Sequence, residues 1–262
     1  MIVNSLTPYI LKIGFFELRW YSLFYLIAFL VTWWWLNKAV DRGELNVTKK
    51  AVEDFIFYAL IGVVLGARLF EVIVWNPSYY WSHPQYILAV WRGGLSFHGA
   101  FVGLLLAGWF WCKKHSVPFG LLSDLVTMPA TFGLAIGRIG NFFNHELYGP
   151  VTNVPWCVQF NGVEGCRHPA QLYGAAGRFI MLGLLFMLHQ SRKNFRLGFI
   201  TTCFIFLSGF GRFFSDFLRE DVRYWYFSTG QWLSFLMVIA SVYILYVYYL
   251  PDVKKLFSSH QA

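Results

Sequence analysis

The sequence predicts an all-α integral membrane protein with seven transmembrane helices. Three observations carry that prediction. Of 262 residues, 57% are hydrophobic and 13% are charged, about half the charged share of a soluble domain. Aromatic residues reach 21%, which does not fit a disordered or collagen-like chain. The apolar residues gather into stretches near the ~20 residues that a helix needs to cross a bilayer. Little chain is left over, so an ordinary soluble enzyme is excluded.

The stretches are taken in order. Tyr21–Val40 carries no charge before Lys38. Asp54–Trp75 holds Arg68 and Glu71. The connector Asn76–Gly94 is aromatic and punctuated by Gly and Pro. Leu95–Cys112 begins Leu-Ser-Phe-His-Gly-Ala. Leu121–Phe143 is the least regular stretch, because it includes Asp124, Pro129 and Arg138. The loop at about 144–168 has turn signals at Gly149-Pro150, Asn161-Gly162 and Gly165. Pro169–His189, Gly198–Leu218 and Thr229–Leu250 complete the set. No repeat or linker interrupts them, so residues 1–262 read as a single polytopic membrane domain. The first twenty residues lack a basic region leading into a clean apolar core and cleavage site, and read as a mature N-terminus.

The net charge of +8 comes without a basic run or aromatic–basic interleaving, which argues against nucleic acid. Excess Lys and Arg in such a chain reflects topology and anionic membrane lipid. One set of connectors holds Lys38, Arg42, Lys49, Lys50, Lys113, Lys114, Arg192, Lys193, Arg196, Lys254 and Lys255. The other holds Lys12, Arg19, Arg92, Arg167, Arg219 and Arg223. The richer side is cytoplasmic by the positive-inside rule, which predicts a periplasmic N-terminus and a cytoplasmic C-terminus. The four Cys contain no Cys-x-x-Cys pair, so neither a zinc site nor a disulfide scaffold is expected. Cys157 and Cys166 share the loop before the fifth span, with Asn161-Gly162 between them. A local disulfide in an oxidising periplasm and two unrelated small residues are both open readings.

Arg68, Arg138, Arg178 and Arg212 lie inside predicted spans. A charge at the bilayer centre costs about 2.5–3.5 kcal/mol on insertion scales. Ion pairs with Glu71, Asp124 or Asp216, and a wet cavity holding an anionic headgroup, are the two main ways to offset it. Gly137–Gly149 is the richest polar segment. Gly133, Gly137, Gly140, Asn141 and Asn144 fall on neighbouring turns of one side, where small residues admit a helix or a lipid. Arg138 offers a planar fork suited to a phosphodiester, and Asn141 and Asn144 add neutral donors. His98 stands about one turn into its span, followed by Gly99 and Ala100, which leave room for a bulky reactant. It reads either as a base or as a hydrogen-bonded core residue. Arg212, Asp216 and Arg219 have the spacing of an intrahelical ion-pair ladder. With the predicted topology these segments gather at the outer face.

The pattern Gly137-Arg138-x-Gly140-Asn141-Phe142-x-Asn144-x-Glu146-x-x-Gly149 resembles the signature of the bacterial prolipoprotein diacylglyceryl transferases. Four further segments agree in order: Arg19-Trp20-Tyr21, Ser96-Phe97-His98-Gly99, Arg167-His168-Pro169-x-Gln171-Leu172-Tyr173, and Gly211-Arg212-Phe213 ahead of Asp216 and Arg219. The resemblance covers essentially the whole chain and implies seven spans with the N-terminus outside. It implies a multi-pass protein of the bacterial inner membrane. The activity implied is transfer of the diacylglyceryl group of phosphatidylglycerol to the lipobox cysteine of preprolipoprotein signal peptides, releasing glycerol phosphate. It further implies His98, Arg138 and Arg212 as catalytic residues, with His168 as another candidate base. Tyr21, Arg138, Asn141, Asn144, Glu146, Gly149 and Asp216 are implied as substrate-binding, with no metal and no cofactor. The chain departs from the family pattern at Ala100, Gly174, Ser208, Asp216 and Glu220. The rival readings are a paralogue with the same donor and another acceptor, and a non-enzymatic phospholipid-binding membrane protein. A transporter is expected to show polar residues through the bilayer depth and often a repeat, and neither is present in the sequence.

Overall fold

The computed structural model describes residues 2–13, 16–220 and 223–258. Asp221, which follows Glu220, lies outside them. All seven apolar stretches are helical. They form α1 (Trp20–Asp41), α2 (Lys49–Phe70), α4 (Phe97–His115), α5 (Phe119–Phe143), α6 (Ala170–Gln190), α7 (Phe199–Ser215) and α8 (Thr229–Ser258). The short helix α3 (Pro77–Ser82) lies in the connector after α2. In an apolar solvent a backbone must satisfy its own hydrogen bonds, and a helix does so within one segment.

Five of these helices are long and apolar enough to cross a membrane: α1, α2 with its continuation to Trp75, α5, α6 and α8. The other two fall short for visible reasons. α7 has 17 residues, roughly 26 Å of helix against a ~30 Å hydrocarbon core. It stops at Ser215, and Asp216–Leu218 tighten into a 3-10 turn. α4 spends its last turn on Lys113, Lys114 and His115. Pro129, which makes the fourth stretch irregular in sequence, lies inside an unbroken α5.

Among the described residues, three short two-stranded ribbons accompany the helices. β1 (Ile2–Asn4) pairs in parallel with β4 (Val158–Phe160). β2 (Tyr9–Ile13) and β3 (Phe16–Arg19) form an antiparallel pair, as do β5 (Arg223–Tyr224) and β6 (Phe227–Ser228). In the β2–β3 ribbon, Lys12 Nζ lies 2.6 Å from Glu17 Oε1. That hydrogen bond and its charge hold the Glu17 carboxyl below its ordinary value.

The chain divides into two compact units. One comprises Met1–Val31 with Val126–Ala262, and the other is Thr32–Leu125. The boundaries fall within α1 and within α5. In the 32–125 unit, α2 starts at the N-cap Thr48, whose side chain accepts from the Ala51 amide. α2 packs on α4 through glycines. A Cβ on Gly62 would stand 2.5 Å from the Gly103 carbonyl oxygen, and one on Gly66 would stand 2.9 Å from Gly103 Cα. Gly99 faces Gly66 in the same seam. The seam therefore excludes side chains and lets the two backbones meet, the known use of small residues between membrane helices. Beyond it, buried Trp111 donates its indole N–H to the Ala51 carbonyl at 2.7 Å.

In the other unit, α7 and α8 pack together. Gly209 lies where a Cβ would meet the Ser234 carbonyl oxygen at 3.0 Å. α5 and the first turns of α1 meet at Gly133 and Gly140. A Cβ on Gly133 would reach Ala28 Cβ at 3.0 Å, and one on Gly140 would reach the Tyr21 ring at 2.7 Å. Gly137, between them in sequence, has no heavy atom within 4 Å of its missing Cβ.

Candidate functional site

Most of the implied site residues lie in the unit formed by residues 1–31 and 126–262. Its polar core grows from the C-terminal end of α5. Asn141 is 7% exposed and donates from Nδ2 to Glu146 Oε1 at 2.7 Å. Asn144 donates to the same oxygen at 3.3 Å. The sequence suggests two free donors here, and the structure has both amides converge on Glu146 instead. The turn that brings Glu146 back requires left-handed backbone at His145 and Leu147 (φ 56° at each). The Glu146 amide returns to the Asn141 carbonyl, and fully buried Gln171 donates to the Glu146 carbonyl at 2.7 Å. The Gln171 of the family motif thus fastens α6 to the end of α5.

Gly149 is a point of close approach. Its amide donates to the His168 carbonyl at 2.9 Å. A Cβ there would stand 2.6 Å from the Leu218 carbonyl oxygen and 2.8 Å from His168 Cβ. Three segments distant in sequence meet at this residue. Arg167 and Glu220 tie the same region, at 2.7 Å, with the Arg167 guanidinium over the Tyr148 ring. Glu220 departs from the family pattern, and its carboxylate is the partner of Arg167. His168 Nδ1 lies 3.2 Å from the Tyr173 hydroxyl, which also accepts from Trp156 at 2.7 Å.

Cys157 and Cys166 form a disulfide. The residues beside it pair as well: the Val158 and Arg167 backbones exchange hydrogen bonds at 2.9 Å in each direction. The loop that leads into His168 is therefore both cross-linked and strand-like.

The Arg212–Asp216–Arg219 spacing gives the expected ladder. Asp216 is 2% exposed and lies 3.6 Å from Arg212 and 3.7 Å from Arg219. Ser228 donates its hydroxyl to Asp216 at 3.5 Å. Gly230 crowds this group: a Cβ there would collide with the Asp216 carboxylate. Tyr21, whose ring covers Gly140, shares a 3.0 Å hydroxyl contact with Tyr25.

Arg138 differs from its neighbours. It is half-buried and makes no hydrogen bond or ion pair among the described residues. The charges of Arg212, Arg219 and Asp216 act on it. An Arg within a membrane-spanning helix, with its donors uncommitted beside other cations, presents an anion-attracting fork.

The 32–125 unit contains His98 and Arg68. His98 is exposed, with Phe70, Trp75 and Phe97 ring centroids 6.1–6.2 Å from its own. Ser96 caps α4 and accepts from Trp75 Nε1 at 2.9 Å, which fixes the turn that presents the imidazole. Gly99 does not leave room for a reactant, and the structure corrects that reading: its missing side chain is the space filled by Gly66 and Phe70.

Arg68 is 5% exposed, and its place in an apolar stretch calls for an acid or an anion. It finds neither. Nε donates to the Ile87 carbonyl at 2.8 Å, and Nη1 donates to the Gly93 and Gly94 carbonyls at 2.7 and 2.8 Å. Nη2 donates to the Tyr86 and Ala89 carbonyls. The guanidinium lies over the Tyr80 ring, 4.9 Å from its centroid. Sequence reasoning misses this role, although the Gly93-Gly94 pair beside an aromatic connector is its visible trace.

A family model described as prolipoprotein diacylglyceryl transferase matches residues 8–247. The chain is 41% identical over 238 residues to the phosphatidylglycerol–prolipoprotein diacylglyceryl transferase of Geobacter sulfurreducens, covering 88% of this chain and 91% of that protein. It is 38% identical over 254 residues to the protein of that name from Polynucleobacter asymbioticus, covering 94% and 97%. A protein of that name from Rickettsia canadensis is 44% identical over 176 residues, covering 67% and 68%.

Proposed function

The chain belongs to the prolipoprotein diacylglyceryl transferase family, and from that premise we propose the reaction it performs. It moves the diacylglyceryl group of phosphatidylglycerol to the cysteine thiol of a prolipoprotein, the first step of lipoprotein maturation. The acceptor is the lipobox cysteine of a signal peptide in the bacterial inner membrane. The protein spans that membrane seven times, N-terminus periplasmic and C-terminus cytoplasmic, with α4 and α7 as the two shorter spans.

A thiol has pKa ~8.5 and needs a base to become the nucleophile. The sulfur then attacks a glyceryl carbon, and the leaving group is a phosphate monoester. Arg138 binds the phosphodiester oxygens and Arg212, oriented by Asp216, stabilises the charge that develops there. Tyr21, Asn141, Asn144, Glu146 and Gly149 shape the donor site. Glu146 draws the two amides together, and Gly149 permits the close approach that a side chain would block. His98, exposed on an aromatic seat, takes the thiol proton. No step calls for a metal or cofactor.

The observation that carries this reading is Arg138: a half-buried guanidinium in a membrane-spanning helix, inside the family signature, with no hydrogen bond or ion pair among the described residues. The test is transfer of labelled diacylglyceryl from phosphatidylglycerol to a lipobox peptide by purified protein. Arg138→Lys keeps the charge and loses the fork, so transfer falls by at least about a hundredfold while the protein stays folded. His98→Gln loses turnover and keeps lipid binding. Wild-type turnover in Arg138→Lys would sink the fork assignment. A His98→Gln protein active from about pH 6 to 9 would move the base elsewhere, His168 being the next candidate.

A further inference from the structure

Gly174 is buried near the start of α6, and two arginine side chains pack against it, Arg178 with its guanidinium and Arg138 with its methylenes. A Cβ at Gly174 would stand 3.2 Å from Arg178 Nη1 and 3.6 Å from both Cγ and Cδ of Arg138. Arg178 spends one donor on the Gly174 carbonyl, at 2.8 Å. Its other donors and all of those on Arg138 make no hydrogen bond or ion pair among the described residues. Arg212 and Arg219 act on both side chains, and Asp216 is the carboxylate that acts on both. Asp216 is already shared between Arg212 and Arg219. The cluster therefore carries more positive charge than one lipid phosphodiester neutralises.

We propose that Arg138 and Arg178, set beside Gly174, form a two-guanidinium seat for a phosphate monoester dianion, with Arg178 holding the glycerol phosphate that leaves. The inference rests on the transfer reaction proposed above. In that reaction the acceptor sulfur bonds to the glyceryl carbon as the carbon–oxygen bond to phosphate breaks. The bonding pair stays on the phosphate oxygen, and the thiol proton passes to the base. A phosphodiester with one negative charge thus becomes a monoester that carries about two near neutral pH. One fork suits the diester, and the second meets the charge that appears on departure. The bare Gly174 lets the Arg178 guanidinium and the Arg138 methylenes pack against one point of α6, where a side chain would crowd the Arg178 fork.

The same phosphate chemistry is offered by the intact lipid and by the free product, and the test separates them. Product inhibition by glycerol 1-phosphate is compared with inhibition by its methyl phosphodiester, and binding of each is followed directly by phosphorus NMR. Arg178→Gln should weaken glycerol 1-phosphate about tenfold and the diester less than about threefold. Gly174→Glu should act in the same direction, because its carboxylate would occupy the seat. Its Cβ meets only side-chain atoms, so this variant decides the matter if Arg178→Gln does not fold. Arg178→Lys should fall between the parent and Gln.

The inference is overturned if Arg178→Gln and Gly174→Glu leave monoester binding within about twofold of the parent, or weaken both anions equally. In the first case Arg178 merely closes its own helical turn on Gly174. A parent protein that transfers nothing, yet binds glycerol 1-phosphate through Arg178, would refute the transfer reading and leave the seat standing.

Discussion

Arg212 holds a carboxylate that water scarcely reaches: Asp216 lies 3.6 Å from its Nε and is 2% exposed, whereas Arg212 itself is 46% exposed. The geometry makes Asp216 the fixed member and Arg212 the presented one. Arg219, at 3.7 Å on the other carboxylate oxygen, and Ser228, on the first, complete the grip.

Asp216→Ala should therefore lower both stability and transfer. Removing one partner of a buried pair costs about 3–5 kcal/mol when both are desolvated. Arg212 is half in solvent, so about 1–3 kcal/mol is expected, with at least a tenfold loss of transfer rate per folded molecule. Asp216→Glu should keep most activity. Thermal unfolding in detergent and single-turnover transfer measure the two effects. An Asp216→Ala protein as active as the parent would mean that Arg212 is not in the lipid site.

The glycine seam predicts a sharp contrast between two conservative substitutions. Gly99→Ala puts a methyl group into the Gly66 backbone and the Phe70 side chain. It should cost about 1–3 kcal/mol or more, as overpacking does. Gly137→Ala meets nothing within 4 Å and should be neutral or stabilising by about 0.5–1 kcal/mol, since Ala is the better helix former. Folded yield and unfolding temperature of the pair provide the comparison. Equal behaviour would contradict the seam.

Arg68→Lys should loosen the connector after α2. The guanidinium serves carbonyls of Tyr86, Ile87, Ala89, Gly93 and Gly94, and an ammonium has three donors without the planar fork. A buried carbonyl left unsatisfied costs about 1–3 kcal/mol and a partly solvated one less, so the connector should open before the helices do. Limited proteolysis should show new cleavage between residues 83 and 95 in the variant. A protection pattern identical to the parent's would show that the connector holds without the fork.

The disulfide predicts a mass signature. Alkylation in denaturant without reductant should label two thiols, Cys112 and Cys203, and after reduction all four. Cys157→Ser with Cys166→Ser should lower stability by about 2–3 kcal/mol, the loop-closure value for a short bridge. Labelling of four thiols in the untreated protein would exclude the bridge.

The charge bias predicts the orientation. Reporter fusions after Lys50, Lys114 and Lys193 should report cytoplasm, and fusions near Pro84 and Val163 should report the periplasm. Two reversed signals would reject the seven-span topology.

Hydropathy is a sum over neighbours in sequence, so the membrane class and the position of every long helix are legible in the string of residues alone. The family signature is legible for the same reason, being a local run around Arg138 and Asn141. The Arg212–Asp216 contact is legible too, because helical spacing by itself brings those residues together.

What the tertiary structure decided depends on partners far along the chain. Arg68 is satisfied by carbonyls 18 to 26 residues away, and no periodicity encodes where a connector folds back. Gly99 serves Gly66 across a helix pair, a role set by crossing geometry and not by its neighbour His98. Asn141 and Asn144 reach one Glu146 oxygen only because the chain turns left-handed at His145 and Leu147. Gly174 reads as a missing side chain in sequence and as the packing surface of Arg138 and Arg178 in three dimensions. Residue types are local and survive in the string, whereas hydrogen-bond direction and close approach are properties of the packed chain.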